Sequence, residues 1–295
     1  MPTFEPSRSA GTAPRPFVHG LWAAIRFLFS PNAGPHQIGE SDRFHHAASW
    51  FVPIGLMIGL LWAGGFRLAW RLYGETAGLR ILPALTVVLI ECLLTGGLLC
   101  LGLARTAHAL GGAGSAENRL DARLYLGPAA MLILCLAVLS QWVLIASIPS
   151  VSPWWPQKPD WRSYLNFAYP APVYRPLVLA PVWGRWGILL AASIGRTAHH
   201  ADPPTVALCA AMRPTRVLKW AIVPTAFSAI YFARQGNVLI GVVMAMIVFA
   251  VTYIAAVVMA RGIGGQTRST LFAAGQIAQL VFLAVYRAFW PLIHG

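Results

Sequence analysis

Seven long apolar runs limit what this chain can fold into. They cover about residues 49–66, 81–103, 124–148, 173–195, 217–233, 237–260 and 269–290. Most reach the roughly 20 residues that a helix needs to cross the hydrocarbon core of a bilayer. The run at 217–233 is the weakest, being short and interrupted by Pro224. Composition agrees: 57% of residues are hydrophobic, 11% are charged, and mean hydropathy is +0.63. A soluble domain carries about 25% charge, so a soluble enzyme and a disordered chain are both excluded. The expected fold is all-α, a polytopic membrane helical bundle of about seven transmembrane helices.

Ahead of the runs, Phe17–Phe29 is too short to span and suits an amphipathic helix lying in the interface. Residues 1–16 are polar and contain proline, which reads as a flexible N-terminal tail, leaving 17–295 as a single transmembrane helical domain. No compact apolar core with a small-residue cleavage site follows the tail, so no secretory signal peptide is expected.

Net charge is +13. The basic residues lie between the apolar runs, where they set topology and meet anionic headgroups. No nucleic-acid partner is expected; membrane lipids are. With seven spans, the side holding the N-terminus collects thirteen Lys and Arg and the other side eight, with Arg185 inside a span. The bias predicts a cytoplasmic N-terminus in a bacterial inner membrane.

The longest connection on the other side, residues 148–172, carries Trp154, Trp155, Trp161, Tyr164, Phe167 and Tyr169 among many prolines. It reads either as an aromatic belt on the outer headgroups or as a stiff platform for a partner protein. On the second reading Trp154, Trp155, Trp161 and Tyr164 bind other membrane proteins in a hetero-oligomeric complex.

Polar residues inside the runs are few. Glu91 sits in the middle of one, and Arg185 is the one clearly intramembrane base, so a Glu91–Arg185 pair is expected to be structural. Cys92, Cys100, Cys135 and Cys209 have no metal-like spacing and read as small hydrophobes. His45, His46, His108, His199 and His200 fall near span ends on the N-terminal side, with Asp202 close by. His108, His199 and His200 are candidates for a metal or haem cofactor. Adjacent His pairs diverge on a helix and no HxxxH pair occurs, so capping and headgroup contact compete with that reading. Gly262-Ile-Gly-Gly265 is followed by no Lys-Ser/Thr and is not a P-loop.

Five stretches, in order, resemble the cobalamin synthase (adenosylcobinamide-GDP ribazoletransferase) family. Gly20–Leu28 resembles its "RFLT" segment and Phe51–Gly59 its "FPLVGLLIG". Thr95–Leu110 is similar to "TGGLHLDGLADTADGL", Leu179–Trp186 to "LAPVLGRW", and Gly264–Gln279 to "GGVTGDTLGAANELTE". The resemblance implies a polytopic membrane enzyme that joins activated cobinamide to ribazole phosphate and releases GMP.

The departures fall on the acids. Where the family pattern has six acidic residues, this chain has Leu101, Arg105, His108, Ser269, Gln276 and Gln279. Asp121 answers to the Asp of the family's "DSRIG". Positions 101, 105 and 108 share one helical face, and 269, 276 and 279 share another. In the family, the resemblance implies, the two faces converge on Mg²⁺ held against a pyrophosphate. Mg²⁺ requires hard oxygen ligands in near-octahedral geometry, and phosphoryl transfer uses the cation to neutralise developing charge. The replacements do not supply those ligands. The expectation is a non-catalytic family member, with no catalytic residues and no cofactor, acting as scaffold or accessory subunit of a larger membrane complex.

Two alternatives stand beside it. One is a divergent or active ribazoletransferase, needing Mg²⁺, with Arg105, Arg185 and Arg196 as phosphate-binding groups. The other is a cofactor- or metal-binding membrane protein using the histidines near the former active site.

Overall fold

The computed structural model describes residues 16–30, 41–74, 80–111, 127–148, 173–233 and 238–294. Among them are ten α-helices, one π-helical turn and no strand; an isolated bridge joins Thr197 and Gln266. The helices are α1 (Pro16–Phe29), α2 (Ser41–Ala69), α3 (Ile81–Thr95), α4 (Leu98–Gly111), α5 (Pro128–Ala146), α6 (Tyr174–Ala192), α7 (Pro203–Ala211), α8 (Pro214–Ala233), α9 (Val238–Ile263) and α10 (Arg268–His294). The bundle is that of a helical membrane protein.

Each of the seven apolar runs holds helix among its described residues, but they are not seven equivalent spans. By length and composition α2, α5, α9 and α10 are each able to cross a membrane. The run at 81–103, read as one span, is broken into α3 and α4 with a bend of 80°. Its cause is local: Gly96 and Gly97 both have positive φ, 61° and 67°, a backbone region that costs a side-chain-bearing residue. α6 and α8 complete the seven. α6 carries Arg175 and Arg185, and every one of its 19 residues is buried, so protein rather than lipid surrounds it.

α2 and α10 clamp α6, and α8 and α9 close the remaining side. Small residues allow the close approach. A Cβ on Gly59 would lie 2.2 Å from the Val178 carbonyl oxygen, and one on Gly187 would lie 2.8 Å from Ala278 Cβ. Without a hydrophobic drive between helices in lipid, such seams gain their stability from van der Waals contact. Trp62, Trp183, Trp186, Phe282 and Tyr286 fill the space around α6. The outer helices contrast with this centre. Only 22% of the apolar window of α5 and 28% of that of α9 is buried, against 67% for α10.

α1 lies against α2, where a Cβ on Gly20 would meet the Cβ of His46 at 2.8 Å. Ala24, Phe27 and Leu28 are buried and Trp22 is exposed, as an amphipathic surface helix requires. The 149–172 segment, with Trp154, Trp155, Trp161 and Tyr164, lies outside the described residues, as do Asp121 and residues 1–15.

Candidate functional site

α10 begins where the chain reverses after α9. Thr267 and Thr270 cap it reciprocally: the Thr270 amide donates to Thr267 Oγ1, and the Thr267 amide donates to Thr270 Oγ1. This satisfies two donors that a helix start leaves unpaired. Thr270 Oγ1 also donates to Gln266 Oε1 at 2.7 Å. Gln266 in turn ties the turn to the loop after α6, through its amide to the Arg196 carbonyl and its own carbonyl to the Ala198 amide. The cap places Arg268 and Ser269 in the first turn of α10.

Arg268 is held there on four sides. Its guanidinium stacks over Phe27 and Phe272, 5.1 and 5.4 Å from the ring centroids. It also donates to the Phe27 and Ser30 carbonyl oxygens at the end of α1. A cation at a helix C-terminus is favoured by the helix dipole, and the stacking adds a cation–π attraction. The contact locks α1 onto α10. Gly102 of α4 seats beside it, where a Cβ would lie 2.5 Å from Phe272 Cβ.

Two to three turns deeper lies a polar net drawn from four helices, in which Arg185 Nε and Gln276 Oε1 stay without a partner. Glu91 of α3 accepts from Gln141 Nε2 at 2.6 Å, from Gln279 Nε2 at 2.8 Å and from Arg185 Nη1 at 3.3 Å. Arg185 Nη1 also reaches Gln279 Oε1 at 3.2 Å. Gln276 Nε2 donates to Gln141 Oε1 at 3.2 Å. All five side chains are buried. A lone charge in this position would cost several kcal/mol, and only pairing plus hydrogen bonding to the remaining lone pairs makes the ion pair tolerable. Three donors on one carboxylate meet that requirement on the Glu91 side of the pair. The Glu91–Arg185 pair expected from sequence is present.

The sequence profile of the cobalamin-5-phosphate synthase family matches residues 20–287. The chain belongs to this family. Adenosylcobinamide-GDP ribazoletransferases of Shewanella baltica (strain OS155) and Shewanella putrefaciens (strain CN-32) are each 36% identical to it over 118 residues. The match covers 39% of this chain and 42% of each relative, so it spans well under half the length of those enzymes. No solved structure matches.

Set on this cobalamin-synthase-like bundle, the six departed positions do not form one site. Gln276 and Gln279 are sealed in the net, wholly buried. Ser269 is half-buried at the start of α10; Leu101 and His108 are half-buried on α4 and Arg105 is exposed. Ser269 and Gln279 are ten residues apart, about 15 Å along a helix. The expected convergence of both faces on one point is therefore divided into a deep level and a mouth. Of the three arginines assigned to phosphate, Arg185 faces Glu91 and Gln279, whereas Arg105 and Arg196 are exposed. Among the histidines, His199 is exposed and His200 half-buried in the loop before α7. Among the described residues, no three His, Cys, Asp or Glu side chains gather to hold a metal ion.

The donor set does not fit Mg²⁺. Five of the six departed positions present amide, hydroxyl, imidazole or guanidinium groups and the sixth a leucine. The carboxylate of the deep net, Glu91, already has its oxygens engaged by three donors. Sequence reasoning missed Gln141, the third donor to Glu91. Its signal was a long polar side chain alone in the apolar stretch Leu134–Ala146 apart from Ser140. It also missed the Arg268 clamp, which nothing in the local sequence announces.

Proposed function

We propose that this protein is a non-catalytic cobalamin-synthase-like membrane protein, serving as scaffold or accessory subunit of a larger membrane assembly. One observation carries the reading. Gln276 and Gln279, which stand where the family pattern has acids, are spent on hydrogen bonds to Gln141, Glu91 and Arg185. A pair of carboxylates there would repel Glu91, and the amides instead complete its shell. What was a ligand set in the family pattern serves here as packing glue between α3, α5, α6 and α10. Membership of the bacterial inner membrane, with a cytoplasmic N-terminus, is part of the same proposal, supported by the bias of basic residues.

The partner surface in this reading is the aromatic segment with Trp154, Trp155, Trp161 and Tyr164. Large aromatics stiffened by prolines bind at low ordering cost. Purification in mild detergent is expected to recover a stoichiometric membrane partner, and changing Trp154 and Trp155 together to Ala is expected to release it. Migration of the wild-type chain alone would contradict the scaffold role.

A second reading is favoured by the curated relatives: adenosylcobinamide-GDP ribazoletransferase activity, with Arg105 and Arg196 meeting phosphate at the open mouth. Turnover separates the two readings. Formation of adenosylcobalamin phosphate by the purified chain supports the second and removes the first.

A further inference from the structure

A second polar feature lies away from both levels of the former site. A cavity of about 380 Å³ opens between the first turns of α2 and α8, lined by His46, Ser49, Arg216, Lys219, Trp220 and Val223. Among the described residues lining it none is acidic. The order of the α8 residues is informative. Arg216, Lys219, Trp220 and Val223 follow i, i+3, i+4, i+7 spacing and share one face. Over about 10 Å of helix this face passes from cationic, through an aromatic with a polar handle, to aliphatic. Phe227 and the exposed Ile230 continue it. That is the sequence of layers in an interfacial lipid: headgroup, glycerol region, acyl chain.

The charge placement adds an independent argument. Arg213 stands just before α8 and Arg216 and Lys219 within its first two turns, and the first turn has no acidic residue. Basic clusters of this kind at the membrane surface attract anionic lipid. Arg216 is held in place by a bond from Nη1 to the Ala211 carbonyl at 3.0 Å, the end of α7. This orients the planar guanidinium beside the cavity, in the manner that suits phosphate.

We infer that the cavity between α2 and α8 is a binding site for the phosphate headgroup of an anionic phospholipid, with Arg216 and Lys219 on the phosphate and the acyl chains along Val223 and Ile230. Trp220 then sits at the headgroup boundary, and Ser49 offers a hydrogen bond from α2. The site is independent of any catalysis at α4 and α10.

The test uses the full-length protein in detergent and native mass spectrometry with phosphatidylglycerol or phosphatidylcholine of matched chains. Phosphatidylglycerol is expected to be retained in preference to phosphatidylcholine. Lys219→Gln is expected to lower that retention about fivefold, in line with the usual contribution of one basic residue near anionic lipid. The double variant Arg216→Gln/Lys219→Gln is expected to lower it further, while Arg261→Gln, basic and exposed at the end of α9, leaves it unchanged. Lys219 is exposed, so K219Q is the variant that keeps the fold, and an unchanged melting profile verifies it. Equal retention of the two lipids, or undiminished phosphatidylglycerol on K219Q, overturns the inference. Displacement of the lipid by millimolar inorganic phosphate also overturns it, because the site would then be one for free phosphate.

Discussion

The deep level and the mouth both carry non-acidic residues where the family pattern has acids, yet their surroundings differ. At the deep level Gln276 and Gln279 are wholly buried and hydrogen-bonded. At the mouth Arg105 is exposed, and Leu101, His108 and Ser269 are half-buried, with no shared network among them. Burial explains the contrast. A polar group away from water must find a partner or cost about 1–3 kcal/mol, and here Gln279 donates to Glu91 and Gln276 to Gln141. At the mouth water satisfies whatever side chain is present, and leucine, arginine, histidine and serine all stand there. The structure thus places a packing requirement on the buried half and none on the exposed half.

The contrast is broken most forcefully at Glu91. Glu91→Ala strands Arg185, and loss of one partner of a buried pair costs about 3–5 kcal/mol. A steep fall in the thermal midpoint in detergent is expected, whereas Arg105→Ala should stay within about 0.5 kcal/mol of wild type. Next in size is Arg268→Ala, which removes charge-assisted bonds to the Phe27 and Ser30 carbonyls worth about 1.5–3 kcal/mol each. Faster proteolysis of α1 should accompany it. Gly59→Ala tests the packed centre, since its Cβ would meet the backbone of Val178; overpacking of this kind costs about 1–3 kcal/mol.

Restoring the acids sharpens the comparison. Gln279→Glu replaces the donor to Glu91 Oε2 by a second carboxyl group, and should destabilise by about 1–3 kcal/mol. Arg105→Asp or His108→Asp at the mouth should leave the melting midpoint nearly unchanged. Equal effects at the two levels would erase the distinction. The smallest effect concerns Cys209 on α7, outside the spans. Burial, reinforced by the negative charge of Asp202, pushes its thiol up to about 12. Only the thiolate reacts with alkylating agents. Its labelling should therefore be slow at pH 8 and keep rising with pH between 9 and 12, where an ordinary thiol has already levelled.

The helical fold was readable because apolar runs of bilayer length have few other solutions. Glu91 with Arg185 was readable because an intramembrane charge demands a partner. The break at Gly96–Gly97 escaped notice, since hydropathy is blind to φ and the residues on both sides are apolar. α6 illustrates the same limit: its arginines and tryptophans make sense only when α2, α8, α9 and α10 enclose it. Gln141 and Arg268 act through partners 50 and 241 residues away in sequence, distances over which no helical periodicity carries information.

The central claim is that this bundle kept the fold of its family and gave up the metal-dependent chemistry. The most direct measurement is turnover by the purified full-length protein in detergent or vesicles. It would be supplied with adenosylcobinamide-GDP, ribazole phosphate and excess Mg²⁺, and GMP release would be followed. No Mg²⁺-dependent release above a protein-free control is predicted, from a sample whose melting profile shows it folded. Sustained release that depends on Mg²⁺ and yields adenosylcobalamin phosphate would contradict the account.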